Sequence, residues 1–143
     1  MSQENMDLVR TMHEQMKGLN LAVQGDDPED QRELVEQVYA PDAEVTWSAT
    51  NPEARTYRGH EGVLQAFSEW MESFEEYYID AAEFIDAGDH VVVPTHQWGT
   101  GKTSGISVDL EITAVYTLKE GKIVVFREYD TLEKALEAAG LSE

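Results

Sequence analysis

Hydrophobic positions along the chain follow a helical period in the first half and a period of two in the second. Leu8, Met12, Met16 and Leu19, with Val9 beside them, predict an amphipathic helix from about Asn5 to Leu19. Gly25-Asp26-Asp27-Pro28 breaks the chain and restarts it, because Asp27 is a capping type and Pro28 suits a first helical position. Leu34, Val35, Val38 and Tyr39 form the stripe of a second helix, which Pro41 ends. Ala43 to Ser48 predicts a short strand, and Ala49 to Arg58 a loop marked by Asn51-Pro52. A wide stripe of Val63, Leu64, Phe67, Trp70, Met71 and Phe74 lies opposite Glu69, Glu72, Glu75 and Glu76. It predicts a third helix from about His60 to Glu76.

Strands follow. Tyr78 to Asp86 meets the turn Ala87-Gly88-Asp89, and Val91-Val92-Val93 opens the next strand. After a flexible loop, Gly99 to Gly105, the strand Ile106 to Leu118 alternates cleanly. Leu110, Ile112, Ala114, Tyr116 and Leu118 face the core, and Asp109, Glu111, Thr113, Val115 and Thr117 face outward. Lys119-Glu-Gly-Lys122 turns the chain into a last strand, Ile123 to Tyr129, and Thr131 to Ala139 is a final helix stopped by Gly140. The last strand carries Val124, Phe126, Glu128 and Asp130 on one face and Ile123, Val125, Arg127 and Tyr129 on the other. Both faces are partly apolar, so periodicity leaves open which one looks inward, and the outer one is expected to pair with a second subunit. Short turns make the four late strands antiparallel neighbours with helices on one face. The fold expected is α+β: one cone-shaped domain over residues 1–143, its curved antiparallel sheet packed on N-terminal helices around a central pocket.

The charge narrows the partners. The 143 residues hold 29 Asp plus Glu against 10 Lys plus Arg, a net charge of −19. Such a surface repels phosphate backbones and anionic lipid, so nucleic acid and membrane are not expected partners. It serves either plain solubility or a high-salt setting where counterions screen the self-repulsion. No apolar run approaches a bilayer span, and the start Met1-Ser-Gln-Glu-Asn has no signal-peptide pattern. Cysteine is absent, so disulfides and thiol catalysis are excluded and a cytoplasmic location is the default.

The motifs Pro41-Asp-Ala-Glu-Val-Thr-Trp47, Tyr57-Arg-Gly-His-Glu-Gly-Val63 and Phe84-Ile-Asp-Ala-Gly-Asp89 come in that order. Gly121-Lys-Ile-Val124, Arg127-Glu-Tyr129 and Ala135-Leu-Glu-Ala-Ala-Gly-Leu141 follow. Together they resemble SnoaL-like proteins of the nuclear transport factor 2 and ketosteroid isomerase superfamily, over nearly the whole chain. The resemblance implies a fold shared by isomerases, polyketide cyclases, dehydratases and non-catalytic binding modules, and so does not choose among them.

The resemblance also points to a candidate. The polyketide cyclases carry an acidic general acid/base on the last strand, and Glu128 matches that position. A carboxyl beside Phe126 and Val124 would lose hydration and hold its proton toward neutral pH; the plain alternative is a rim Glu paired with Arg127. On the preceding strand such enzymes carry a second ionisable group, where this chain has Ala114. Near the end of the first strand, where the isomerases place an Asp, it has Trp47-Ser48-Ala49. Trp47, Tyr57, Trp70, Trp98, Tyr116 and Phe126 are candidates for an apolar pocket wall, although such aromatics also serve as plain core. Tyr116, His96 or Trp98 would hold a ligand oxygen. His60 has a structural place at a helix start, and His13 has no evident partner.

The function expected is binding of a small, apolar or aromatic oxygenated molecule. Isomerisation, cyclisation or dehydration by proton transfer at Glu128 would follow without a cofactor. The alternative is a non-catalytic binding or dimeric interaction module. No metal site is expected: His90 and His96 share a strand face but stand about 20 Å apart. Gly101-Lys102-Thr103 imitates the end of a phosphate loop, yet His96 stands where its first Gly belongs and the segment joins two strands.

Overall fold

The computed structural model describes residues 2–22, 28–47 and 53–141. Helices α1 (Ser2–Met16) and α2 (Pro28–Val38) precede strands β1 (Tyr39–Thr46) and β2 (Thr56–Arg58); helix α3 (Gly59–Met71) and strand β3 (Phe74–Ala81) follow. The remainder is β4 (Ile85–Ala87), β5 (His90–Gly101), β6 (Ser107–Lys119), β7 (Lys122–Tyr129) and helix α4 (Leu132–Ala138). The strands form one curved, unclosed sheet in the order β2-β1-β7-β6-β5-β3, with β4 beside β5. Neighbours are antiparallel except β1 and β7, which run parallel. That parallel pair is a departure from the all-antiparallel expectation. The expected break at Gly25–Asp27, with Asp27 as cap, the strand end Ser48 and the Ala49–Pro52 part of the expected loop lie outside the described residues.

The inner sheet face packs on α1, α2 and α3 through Val9, Val35, Val45, Val63, Val91, Val93, Tyr116, Leu118 and Ile123. Lys122 fastens this layer by donating to the carbonyls of Glu36 and Gln37 (2.9 and 2.7 Å), which close the end of α2. The His60 Nε2–H donates to the Tyr39 carbonyl (2.9 Å) and ties the start of α3 to β1. The outer face is covered in part by α4, whose Ala135 and Ala139 pack on Val92, Val115 and Tyr129. Thr131 caps α4 by accepting from the Lys134 N–H (3.1 Å). A cover for the second apolar face of β7 therefore comes from the chain's own C-terminal helix.

A bulge explains why the last strand was ambiguous. Thr117 pairs with Val125 but Leu118 pairs with Ile123, so Val124 is an extra residue. Alternation resets there, and Ile123, Phe126 and Glu128 all face inward while Val125, Arg127 and Tyr129 face outward. The two-residue turn before it places Glu120 and Gly121 at φ of 53° and 78°, the paired left-handed geometry that matches strand twist in a tight hairpin.

Several positions differ from the periodic reading. Helix α3 stops at Met71, and Phe74 opens β3 opposite Gly101; its ring joins Trp70 (5.3 Å) and Tyr77 (4.6 Å). The strand-forming run Tyr77-Tyr78-Ile79 takes the helical stripe over. Strand β1 begins at Tyr39, with Pro41 placed where the pairing to β7 shifts register, a position that asks for no ladder N–H. Leu34, expected in the stripe of α2, is 53% exposed.

Candidate active site

Strand β5 decides what the site contains. Its inward positions are Val91, Val93, Thr95, Gln97 and Gly99, so apolar residues give way to polar ones toward the open end of the sheet. Gly99 is there because a Cβ would lie 2.3 Å from the Glu76 carbonyl oxygen and 2.9 Å from Tyr77 Cδ1. That close approach lets Tyr77 lie across the strand with its hydroxyl on Gln97 (2.5 Å).

A cavity of about 260 Å³ opens at this end, lined by Trp47, Trp70, Leu110, Glu111, Ile112, Glu128 and Asp130. Trp47 follows β1 and Trp70 closes the last turn of α3, with ring centroids 6.3 Å apart. Below them Phe126 stacks on Phe67 (6.1 Å, 19° between planes) and meets Trp47 edge-on (5.6 Å). Each such aromatic pair contributes about 0.5–1.5 kcal/mol beyond its buried area, so these walls are preformed. A cavity of roughly 150 Å³ accommodates benzene. The space here is larger and open on one side.

Glu128 contributes the carboxyl. The side chain keeps some surface toward the cavity, but the carboxyl is otherwise enclosed by protein. Burial pushes its pKa up to about 7, and a hydrogen bond from Gln97 opposes the rise. The Gln97 amide reaches Glu128 Oε2 at 3.5 Å and Thr95 Oγ1 at 3.0 Å. The charge on Glu128 is felt by three buried phenols. Burial raises Tyr39, Tyr77 and Tyr116, and Glu128 raises each further; Tyr77 reaches about 12. All three stay neutral donors at ordinary pH.

The expected residues divide between the two sheet faces. Trp47 and Trp70 line the cavity beside Glu128, and Phe126 packs against Trp47 in the core next to it. Tyr116 is buried beneath, stacked on Phe126 (4.9 Å), with its hydroxyl 3.0 Å from His13 Nε2. Tyr57 sits near the surface under Arg55 (4.5 Å), its hydroxyl on Glu69 (2.6 Å). His96 and Trp98 need correction, because strand alternation sends them to the outer face. There they stack on each other (4.7 Å), Trp98 also stacks on Tyr78 (5.6 Å), and His96 bonds Asp109 (2.9 Å).

Sequence reasoning passed over His13, Thr95, Gln97 and Tyr77. His13 has a partner after all; burial drops its pKa to about 4, and its Nδ1 has no hydrogen-bond partner among the described residues. Thr95 and Gln97 were findable, since they continue the odd-numbered core face begun by Val91 and Val93. Among the described residues no group of three or more His, Asp or Glu is arranged to hold a metal ion. No described helix is long and apolar enough to cross a membrane. Gly101-Lys102-Thr103 lies at the β5–β6 hairpin.

Known proteins give the same fold. The SnoaL-like domain family matches residues 18–126. A protein from Jannaschia sp. CCS1, provisionally classed as a SnoaL-like polyketide cyclase, superposes with a TM-score of 0.73 at 19% identity, over 99% of this chain and 94% of that one. A ketosteroid isomerase-like protein from Catenulispora acidiphila DSM 44928, solved with trimethylamine, gives 0.64 at 18% identity, over 94% and 93%. TerC, co-crystallised with polyporic acid, gives 0.63 at 17%, over 96% and 98%. No curated protein matches in sequence. The family match spans more than half of the chain, and the fold is shared with nuclear transport factor 2-like and ketosteroid isomerase-like structures: the chain belongs to the SnoaL-like domain family.

Proposed function

We propose that the protein binds a small, mostly apolar molecule bearing a carbonyl or hydroxyl, and moves a proton on it with Glu128. The observation that carries this reading is the buried carboxyl of Glu128, which borders a cavity walled by Trp47 and Trp70 and whose pKa burial pushes up to about 7. At neutral pH about half the molecules then hold a base and half an acid, the condition that suits general acid/base work. The carboxylate takes a proton from a carbon next to a carbonyl. The resulting acid returns it to another carbon in an isomerisation, to the new alkoxide oxygen in an aldol-type ring closure, or to a hydroxyl leaving as water. Each cycle leaves Glu128 as it began, so the chemistry asks for no redox partner. TerC's crystals with polyporic acid support an oxygenated ring compound as ligand class.

Titrating the protein with cyclic ketones and enones while following Trp47 and Trp70 fluorescence tests the binding, and proton exchange or turnover with Glu128→Gln tests the chemistry. Saturable quenching with turnover lost in the variant is expected; equal turnover would remove Glu128 from the mechanism. One feature favours a second reading, binding without catalysis: Ala114, opposite Glu128, cannot stabilise a developing oxyanion. Saturable binding with no turnover across the panel would select it.

A homodimer through the outer sheet face goes with the first reading, in a cytoplasmic setting. That face carries Arg58 and Arg127 toward β2 and β7, and Glu76, Asp80, Asp109 and Glu111 toward β3 to β6. A two-fold pairing would set opposite charges together. Arg127→Glu should then shift the mass measured by sedimentation equilibrium toward the monomer.

A further inference from the structure

The buried amide on β5 has a direction that its neighbours dictate. The Ile112 carbonyl can only accept, so the Thr95 hydroxyl, 2.6 Å away, must donate to it. Thr95 Oγ1 therefore accepts from its other partner, the amide end of Gln97 at 3.0 Å. The Gln97 carbonyl end then faces the Tyr77 hydroxyl, which donates to it. Gln97 is 3% exposed and pinned at both ends, so its second N–H has one fixed direction, toward Glu128 Oε2 at 3.5 Å.

We infer that Gln97 is the positioning residue of this site: it claims Glu128 Oε2 and leaves Oε1 as the oxygen that exchanges a proton with a bound molecule. The inference rests on the proposed role of Glu128 and specifies which of its oxygens works. An N–H aimed at Oε2 occupies a lone pair there, so a proton on the acid goes to Oε1. The arrangement takes the part of the ionisable partner that Ala114 does not supply: a neutral donor favours the carboxylate without adding a competing proton. Other groups facing Glu128 do not duplicate it. Tyr39, Tyr77 and Tyr116 are neutral phenols from β1, β3 and β6, with His13 of α1 behind Tyr116. Glu111 and Asp130 border the same cavity, Glu111 from a strand position that shares the outer face with His96.

The test is a carbon-13 NMR titration of the Glu128 carboxyl in the parent, Gln97→Met and Tyr77→Phe. Methionine keeps the length of the side chain without the N–H; phenylalanine keeps the ring and frees the amide to turn. Both variants should raise the Glu128 midpoint by about half a pH unit or more, roughly a threefold gain in proton affinity, with spectra otherwise dispersed as in the parent. If Gln97→Met does not fold, Tyr77→Phe alone decides. Midpoints that stay at the parent value, or fall, overturn the assignment. The titration uses no substrate, so absence of turnover would count against the proposed chemistry without touching this result, and the reverse also holds.

Discussion

Ala114 and Glu128 are direct partners across β6 and β7, both on the cavity side of the sheet. A methyl group thus stands opposite a carboxyl that has little water around it. With no cation or second acid at that position, burial dominates, and only the long contact from Gln97 opposes it.

Glu128 should cost the fold stability at alkaline pH. Its pKa is about 7 when folded against 4.5 unperturbed. Below pH 4.5 both states carry the proton and the residue is neutral in effect. As pH rises through 7 the unfolded chain ionises first, and stability falls by about 3 kcal/mol by the time both states are ionised. Urea unfolding of Glu128→Gln against the parent should show an advantage for the variant that grows by about that amount between pH 4 and pH 8. A constant difference across the range would contradict the buried acid.

His13 acts in the opposite direction. Its folded pKa is about 4, below the ordinary 6.5, so the unfolded chain takes up a proton first as pH falls. Stability present above pH 6.5 is lost progressively down to about pH 4, by about 3 kcal/mol. In His13→Gln this part of the acid slope should be missing. Identical acid profiles for variant and parent would show that His13 does not titrate as described.

Gly99→Ala should be among the most disruptive small changes. Its methyl would strike the Glu76 carbonyl oxygen at 2.3 Å and the Tyr77 ring at 2.9 Å, and backbone cannot yield cheaply. A loss of about 2–3 kcal/mol is expected from overpacking, together with reduced amide protection along β3 in hydrogen exchange. Parent-like stability would mean that β3 and β5 have room the structure does not show.

The two tryptophans of the cavity and the one outside it should separate cleanly. Trp70→Ala should weaken binding of a cyclic ketone tenfold or more by opening the wall. Trp98→Phe should leave the same affinity unchanged, because its ring lies on the other face against His96 and Tyr78. Calorimetry on both variants checks this; equal effects would place the ligand elsewhere.

Much of this was legible in the chain. The alternation of Ala114, Tyr116 and Leu118 set the core face of β6 correctly, because one face of that strand meets the helices. Glu128 was legible as an acid on a half-apolar strand, but its direction was not: the extra Val124 shifts alternation by one residue, and a bulge has no hydrophobic signature. Trp98 and His96 lie on the outer face because the parity of β5, set by Val91 and Val93, outweighs aromatic content as a pocket signal. Gln97 and His13 lie deep for a different reason. Their partners Tyr77 and Tyr116 are 20 and 103 residues away, and only the folded sheet brings them into hydrogen-bond range.

The account stands on one acid that keeps its proton near neutrality while facing an open cavity. A carbon-13 NMR titration of the Glu128 side-chain carboxyl in the parent protein measures that property directly. A midpoint near pH 7 is predicted; a midpoint near 4.5, the value of a carboxyl in free contact with water, would contradict it.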